Sequence, residues 1–281
     1  MAIGTHHRKL QTNWLKRMLS NERWYGTGSP LWKSLTNPTE AKEERRRRIR
    51  VLKKHGATEL ASVLGNCKRR DRCLSGACPE CGRAFQRAFT ANAAGILVPH
   101  QLFDAVSIVG STFRFAGNLQ ELSAEAFTKR LSRRLKDAGV KLAVGGIDFS
   151  FNEYPTKSRR SRWVPQFWLL VDNTNRSRWE KRLRAAYQPT SLVPRPLKII
   201  AWDGNAAALG YALKTNFARR ITTQTQRFAR GQYRVCQNTR YDRLRAAERV
   251  ELFTYLHEVG LEARLVLFEV SKIEGGFDVL L

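Results

Sequence analysis

The sequence predicts an α+β fold: an antiparallel sheet flanked by helices and preceded by a helical, zinc-binding N-terminal region. Three observations predict it. Two apolar alternating segments, Leu142–Phe151 and Trp163–Val171, flank a polar loop, as the strands of an antiparallel hairpin do. Leu122–Ala138 places Ala126, Phe127, Leu131 and Leu135 on one helical stripe. Four of the five cysteines fall within Cys67–Cys81. The chain divides on this reading into a helical cysteine-bearing region (1–98), an α/β core (99–230) and a C-terminal helix and strand appendage (231–281).

Charge narrows the function classes. The chain carries 50 Lys and Arg against 24 Asp and Glu, a formal net charge of +26 over 281 residues, which points to a polyanionic partner and first to nucleic acid. No window approaches the roughly 18–20 apolar residues of a membrane span, and the opening stretch lacks the apolar core of a signal peptide, so a cytoplasmic protein with no membrane partner is expected. A reducing compartment suits clustered thiols held by a metal better than a disulfide framework, and Cys236 stands apart from the cluster.

Taken in order, residues 1–36 mix tryptophan and leucine with basic residues and support a short helix and an irregular arm with no assignable function. Asn37-Pro38-Thr39-Glu40 opens a helix that runs to about Leu64 and carries the basic block Arg45–Arg48, either a solvated face or a phosphate contact. In Cys78-Pro-Glu-Cys81-Gly, two residues between thiolates let both sulfurs meet one tetrahedral ion, and Cys67 and Cys73 complete the set. Four thiolates close the coordination sphere, so the zinc is structural. A basic helix follows from Pro79 to Ile96, then a strand over Leu102–Val109. The amphipathic helix Leu122–Ala138 presents Arg130, Arg133 and Arg134 opposite its apolar stripe, and Gly139 ends it.

The hairpin comes next, with a basic tip of Lys157, Arg159, Arg160 and Arg162. In its second strand Phe167, Leu169 and Val171 point one way and Gln166 and Trp168 the other, so one face is core and the other is open to chemistry. Beyond it, the pattern gives a helix over Asn175–Tyr187, a strand within Pro194–Trp202, a helix through Ala206–Arg220 capped by Asp203-Gly204-Asn205, a helix over Tyr241–Val259, and late strands in Ala263–Val270 and Phe277–Leu281.

The glycine-led strand, the carboxylate, the loop and Trp163-Val-Pro-Gln166-Phe-Trp168-Leu-Leu-Val171 together resemble rolling-circle replication initiators of the HUH endonuclease class. A cysteine cluster running into a basic helix, and Tyr211-Ala-Leu-Lys214, add to the resemblance, which covers about Leu64–Arg220. It implies that the 99–230 core has the fold of that class, that Tyr211 stands where the class has its DNA-attacking tyrosine, and that Lys214 supports it. The class holds Mg²⁺ or Mn²⁺ with two histidines, and those two positions are Gln166 and Trp168 here. Glu153 stands where a carboxylate often lies near the metal, although its strand parity puts it with the apolar residues. A second register of the motif places Thr215, rather than Tyr211, at the nucleophile position.

The expected function is therefore a DNA-binding protein on an initiator scaffold without nicking activity. It would hold single-stranded or origin-like DNA through Lys157, Arg159, Arg160, Arg162, Gln166, Trp168, Arg130, Arg133 and Arg134, with zinc on Cys67, Cys73, Cys78 and Cys81. The alternatives are an active nickase using Tyr211 with Mg²⁺ or Mn²⁺, and an RNA-binding zinc protein.

Overall fold

The computed structural model describes residues 13–19, 35–97, 102–154, 160–205, 207–229 and 232–280. Helix α1 (13–19) is followed by α2 (Pro38–Lys54), α3 (Thr58–Asn66) and α4 (Pro79–Ile96). The α2 start follows its sequence signal: the Asn37 side chain accepts from the Glu40 amide at 2.8 Å while the Glu40 carboxylate accepts from the Asn37 amide at 3.0 Å. That reciprocal cap satisfies two donors the helix end would leave unpaired.

The strands β1 (Phe103–Val109), β2 (Arg114–Phe115), β3 (Ala143–Glu153), β4 (Arg162–Asp172), β5 (Leu197–Ala201), β6 (Ala218–Ala229), β7 (Gln232–Arg243) and β8 (Leu265–Phe268) form one curled sheet. Its order is β5-β1-β4-β3-β6-β7, with β2 pairing β4 and β8 pairing β3. Between these strands lie α5 (Ala124–Ala138), α6 (Arg176–Ala186), α7 (Ala207–Ala212) and α8 (Ala246–Val259), and β9 (Val270–Ile273) with β10 (Gly276–Val279) makes a separate ribbon. The fold is thus α+β with helices flanking the sheet and the cysteine cluster N-terminal to it.

Four expectations need correction. The helix expected from Asn37 to about Leu64 breaks at residues 55–57 into α2 and α3, where Gly56 takes a positive φ of 79°. The sheet is mixed rather than antiparallel, because β6 returns beside β3 in parallel over Ser150–Glu153. The helix expected through Ala206–Arg220 stops at Ala212, and residues 218–229 instead pair with 232–243 as a long hairpin. Tyr241 lies in β7, so α8 begins only at Ala246.

The central β3–β4 hairpin is as expected, with Asp148 opposite Gln166 and Gly146 opposite Trp168. Phe167, Leu169 and Val171 are buried in an apolar core that also takes Leu131 and Leu135 of α5, Phe85 and Phe89 of α4, and Leu252 and Leu256 of α8. Phe127 of α5 stacks on Phe167 with ring centres 4.2 Å apart. One continuous core therefore draws on residues from Leu15 to Phe277, across all three expected spans.

Gly146 is required by a close approach. A Cβ there would lie 2.8 Å from the Ala212 carbonyl oxygen and 2.7 Å from Leu213 Cδ2, so its absence lets the end of α7 settle onto β3 beside Trp168. Gly146→Ala is expected to cost about 1–3 kcal/mol, because the obstructing atom is backbone and α7 must lift. Urea denaturation checks it, and a midpoint unchanged from the parent would show that α7 is not seated this way.

Candidate functional site

The four cysteine sulfurs lie within 4.8 Å of one another. Cys67 and Cys81 are 3.6 Å apart, Cys73 and Cys81 3.7 Å, and Cys78 and Cys67 3.7 Å. Sulfurs about 2.3 Å from a shared tetrahedral ion stand about 3.8 Å from each other, so the set fits a metal such as zinc. Cys78 caps α4 and Cys81 lies in its first turn.

The basic block of α2 serves this module rather than a solvated or phosphate-facing surface at two of its positions. Arg45 donates to the Cys67 carbonyl at 2.5 Å and pairs with Glu80 at 3.3 Å. Arg48 is buried, and its fork donates to the Ala77 carbonyl at 2.9 Å and the Thr215 carbonyl at 2.6 Å. Gln86 of α4 donates to the Gly210 carbonyl at 2.6 Å. These bonds tie the cysteine module to the residues just before and after Tyr211 and Lys214.

On the open face of the central hairpin, Asp148, Gln166, Trp168, Tyr211 and Lys214 converge on a cleft of about 700 Å³. Asp148 Oδ2 accepts from Gln166 Nε2 at 2.9 Å and pairs with Lys214 Nζ at the same distance. Lys214 Nζ also donates to the Tyr211 hydroxyl at 3.0 Å, although Lys214 lies past the end of α7. Trp168 meets Tyr211 edge to face, ring centres 4.8 Å apart at 71°. Arg184, Arg195, Lys198 and Arg220 line the rest of the cleft together with Tyr187 and Tyr241.

Asp148 is the residue that sequence reasoning missed. Its signal was strand parity: Gly146, Asp148 and Ser150 share the face opposite to Ile147 and Phe149, and Asp148 pairs directly with Gln166. Glu153 is not in the cleft, because its carboxylate is taken by Arg219 and, at 3.8 Å, by Arg245. Thr215 is buried against Gly82 of α4, which removes the second register of the motif from the cleft.

Burial pulls the Lys214 ammonium down, but the Asp148 carboxylate and the bonds to Tyr211 and Asp148 outweigh it, and the net shift is upward from 10.5. A base raised on folding contributes stability below its unfolded pKa and loses it as the pH climbs through the folded one, so the pair is intact at neutral pH and released only in strong alkali. Arg264 also faces Asp148 electrostatically while burial pushes its guanidinium down to about 10. The cleft's carboxylate is thus already met by two cations. At the two positions where the class has its histidines stand an amide whose nitrogen is bonded to Asp148 and an indole with no lone pair in the ring plane for a metal, so that pair does not fit the divalent ion of the resembling class.

Of the other expected residues, Arg134 stacks on Tyr187 at 4.4 Å, Arg130 reaches the Thr112 hydroxyl at 3.4 Å, and Arg133 is exposed. Arg160 lies over Phe115 at 4.5 Å. Arg162 opens β4 and is buried, not at an exposed tip. Lys157 and Arg159, and the side chain of Cys236, lie outside the described residues. No helix among the described residues is long and apolar enough to cross a membrane. Comparison with protein-family models, curated proteins and solved structures returns no match.

Proposed function

We propose that this protein binds single-stranded DNA in the Trp168–Tyr211 cleft, on a scaffold of the rolling-circle initiator type, and holds the strand without cutting it. The observation that carries the reading is the Asp148–Lys214–Gln166 cluster beside the Trp168–Tyr211 pair. The cluster puts a carboxylate, a tyrosine and a lysine in one cleft, but an ammonium and an amide occupy the carboxylate oxygen. A phenol facing a phosphodiester that no metal polarises lacks both contributions that strand cleavage needs. What remains suits binding: an aromatic pair on which a base stacks, and basic side chains for the backbone.

Two buried atoms in the cleft wall support an occupant with hydrogen-bonding edges. Trp168 Nε1 and Asp148 Oδ1 find no partner among the described residues. An unpaired base presents both acceptors and donors, and so matches them where a featureless polyanion does not. The cysteine module, with zinc as the ion, holds the cleft wall through Gln86 and Arg48.

Binding of a labelled oligothymidylate followed by fluorescence anisotropy tests this. Trp168→Ala should weaken it by about 1–3 kcal/mol, the worth of one stacked base. Incubation with Mn²⁺ or Mg²⁺ should give no covalent protein–DNA band. A covalent band that Tyr211→Phe abolishes would make the protein a nickase, and tighter binding of the matched RNA strand would make RNA the partner. Gain of nicking in Gln166→His with Trp168→His would establish the inherited scaffold directly.

A further inference from the structure

The sheet has a break beside the cleft. β1 leaves β4 at the Val109–Gln166 pair, and β2 rejoins it only at Trp163, so Val164 and Pro165 face no strand on that side. Proline tolerates the gap because it has no N–H to leave unpaired. Gly110–Phe113 join the two strands beside this gap and, with residues 190–195, border a second, half-open chamber of about 680 Å³. It shares Val109, Pro194, Arg195 and Arg220 with the cleft, so the two adjoin.

The chamber's electrostatics are one-sided. Arg162, Arg195 and Arg220 line it together with Ser111, Thr112, Thr190, Ser191, Thr222 and Thr239, and among the described residues no aspartate or glutamate does. Arg162 is only 7% exposed, yet it makes no ion pair among the described residues. Its guanidinium lies over Phe113 at 4.5 Å, Tyr154 at 5.1 Å and Phe115 at 5.7 Å, and its Nε donates to the Arg160 carbonyl at 3.3 Å. The neighbouring acids are committed elsewhere, Glu121 to Arg114 at 3.8 Å and Glu153 to Arg219 and Arg245. Residues 155–159 contain no acid. Aromatic faces offset part of the cost of burying such a cation, and an anion entering the chamber supplies the rest.

We infer that this chamber is a phosphate-binding subsite for the nucleotide next to the one stacked on Trp168. The inference rests on the cleft reading and deepens it: the strand runs from the aromatic pair past the shared Arg195 and Arg220 and sets a phosphate against Arg162. A guanidinium is planar, and with aromatic rings close to it on several sides its nitrogens offer the fork that suits two phosphate oxygens. The ligand chemistry is a phosphate diester within the strand or a monoester at its 5′ end.

Salt-dependent binding of a ten-residue oligothymidylate separates the outcomes. Arg195→Gln with Arg220→Gln should reduce the slope of log K against log salt by about 1.4, two phosphates at about 0.7 each for a single strand. Quenching of the Trp168 signal, identified by its loss in Trp168→Phe, should persist in that double variant. Arg162→Met is the second arm and should weaken binding at least tenfold. A single methylphosphonate scanned along the oligonucleotide should find one linkage whose neutralisation weakens the parent but not Arg162→Met. A 5′-phosphate that tightens binding of the parent alone would instead assign the end of the strand. If the oligonucleotide quenches Trp168 while slope, methylphosphonate and 5′-phosphate responses match between parent and variants, the subsite is refuted and the cleft reading stands. If no oligonucleotide binds the parent, both fall.

Discussion

Stripping the metal from the cysteine module is expected to unfold residues 67–96 and, with them, to loosen the cleft. Purified protein should carry about one zinc ion per chain, and Cys78→Ser with Cys81→Ser should abolish it. The expected effect is the largest in the molecule, because a closed thiolate site contributes about 10–16 kcal/mol of apparent binding free energy at neutral pH, and this is folding free energy. Phe85 and Phe89 of α4 sit in the main core, and Gln86 holds the Gly210 carbonyl, so the loss propagates to α7. Chelation followed by circular dichroism and tryptophan fluorescence reads both parts. Protein that is free of zinc and keeps its parent melting curve would refute the site.

That propagation was not legible in the sequence, whereas the module itself was. Cysteine spacing is a local code, and so is the alternation of β3 and β4, which is enough to set Gln166 and Trp168 on the open face. The Tyr211–Lys214 pair was legible only as a three-residue spacing on an expected helix; α7 ends at Ala212, and the two side chains meet although Lys214 lies beyond it. Asp148 was not singled out, because its role depends on register: only the pairing of β3 with β4 sets it opposite Gln166. Arg48 read as part of a charge run because four successive arginines on a helix look solvated, and what buries it is the return of the chain at Thr215, 167 residues later.

The shortened α7 is a case of propensity overruled. Ala206–Leu213 is rich in alanine and leucine, interrupted by Gly210 and Tyr211, and continuing the helix to Arg220 is the local expectation. The tertiary structure stops it at Ala212, because β6 must begin at Ala218 to pair with β3 and β7. The β6–β7 hairpin did leave a trace, since Ile221-Thr-Thr-Gln-Thr is rich in β-branched residues. Polar strands of that kind, even at twelve residues each, carry little apolar alternation, so periodicity alone does not separate them from loop.

The second large effect is expected at Arg48, which links the cysteine module to the cleft wall. Its guanidinium is 3% exposed, lies over Phe253 at 4.4 Å and pairs with Glu44 at 3.0 Å while its fork spans the carbonyls of Ala77 and Thr215. Burial lowers its pKa despite the opposing pull of Glu44, so the position is costly to keep charged and is held for what it bonds. Arg48→Met keeps most of the volume and leaves both carbonyls without a donor, at about 1–3 kcal/mol each. A loss of about 2–5 kcal/mol is expected in urea denaturation, together with weaker oligonucleotide binding, since Thr215 directly follows Lys214. Arg48→Lys should recover only part of this, because an ammonium on a single stem cannot span both acceptors. A methionine variant within about 0.5 kcal/mol of the parent, the range of an ordinary surface change, would show that the helical region and the cleft stand independently.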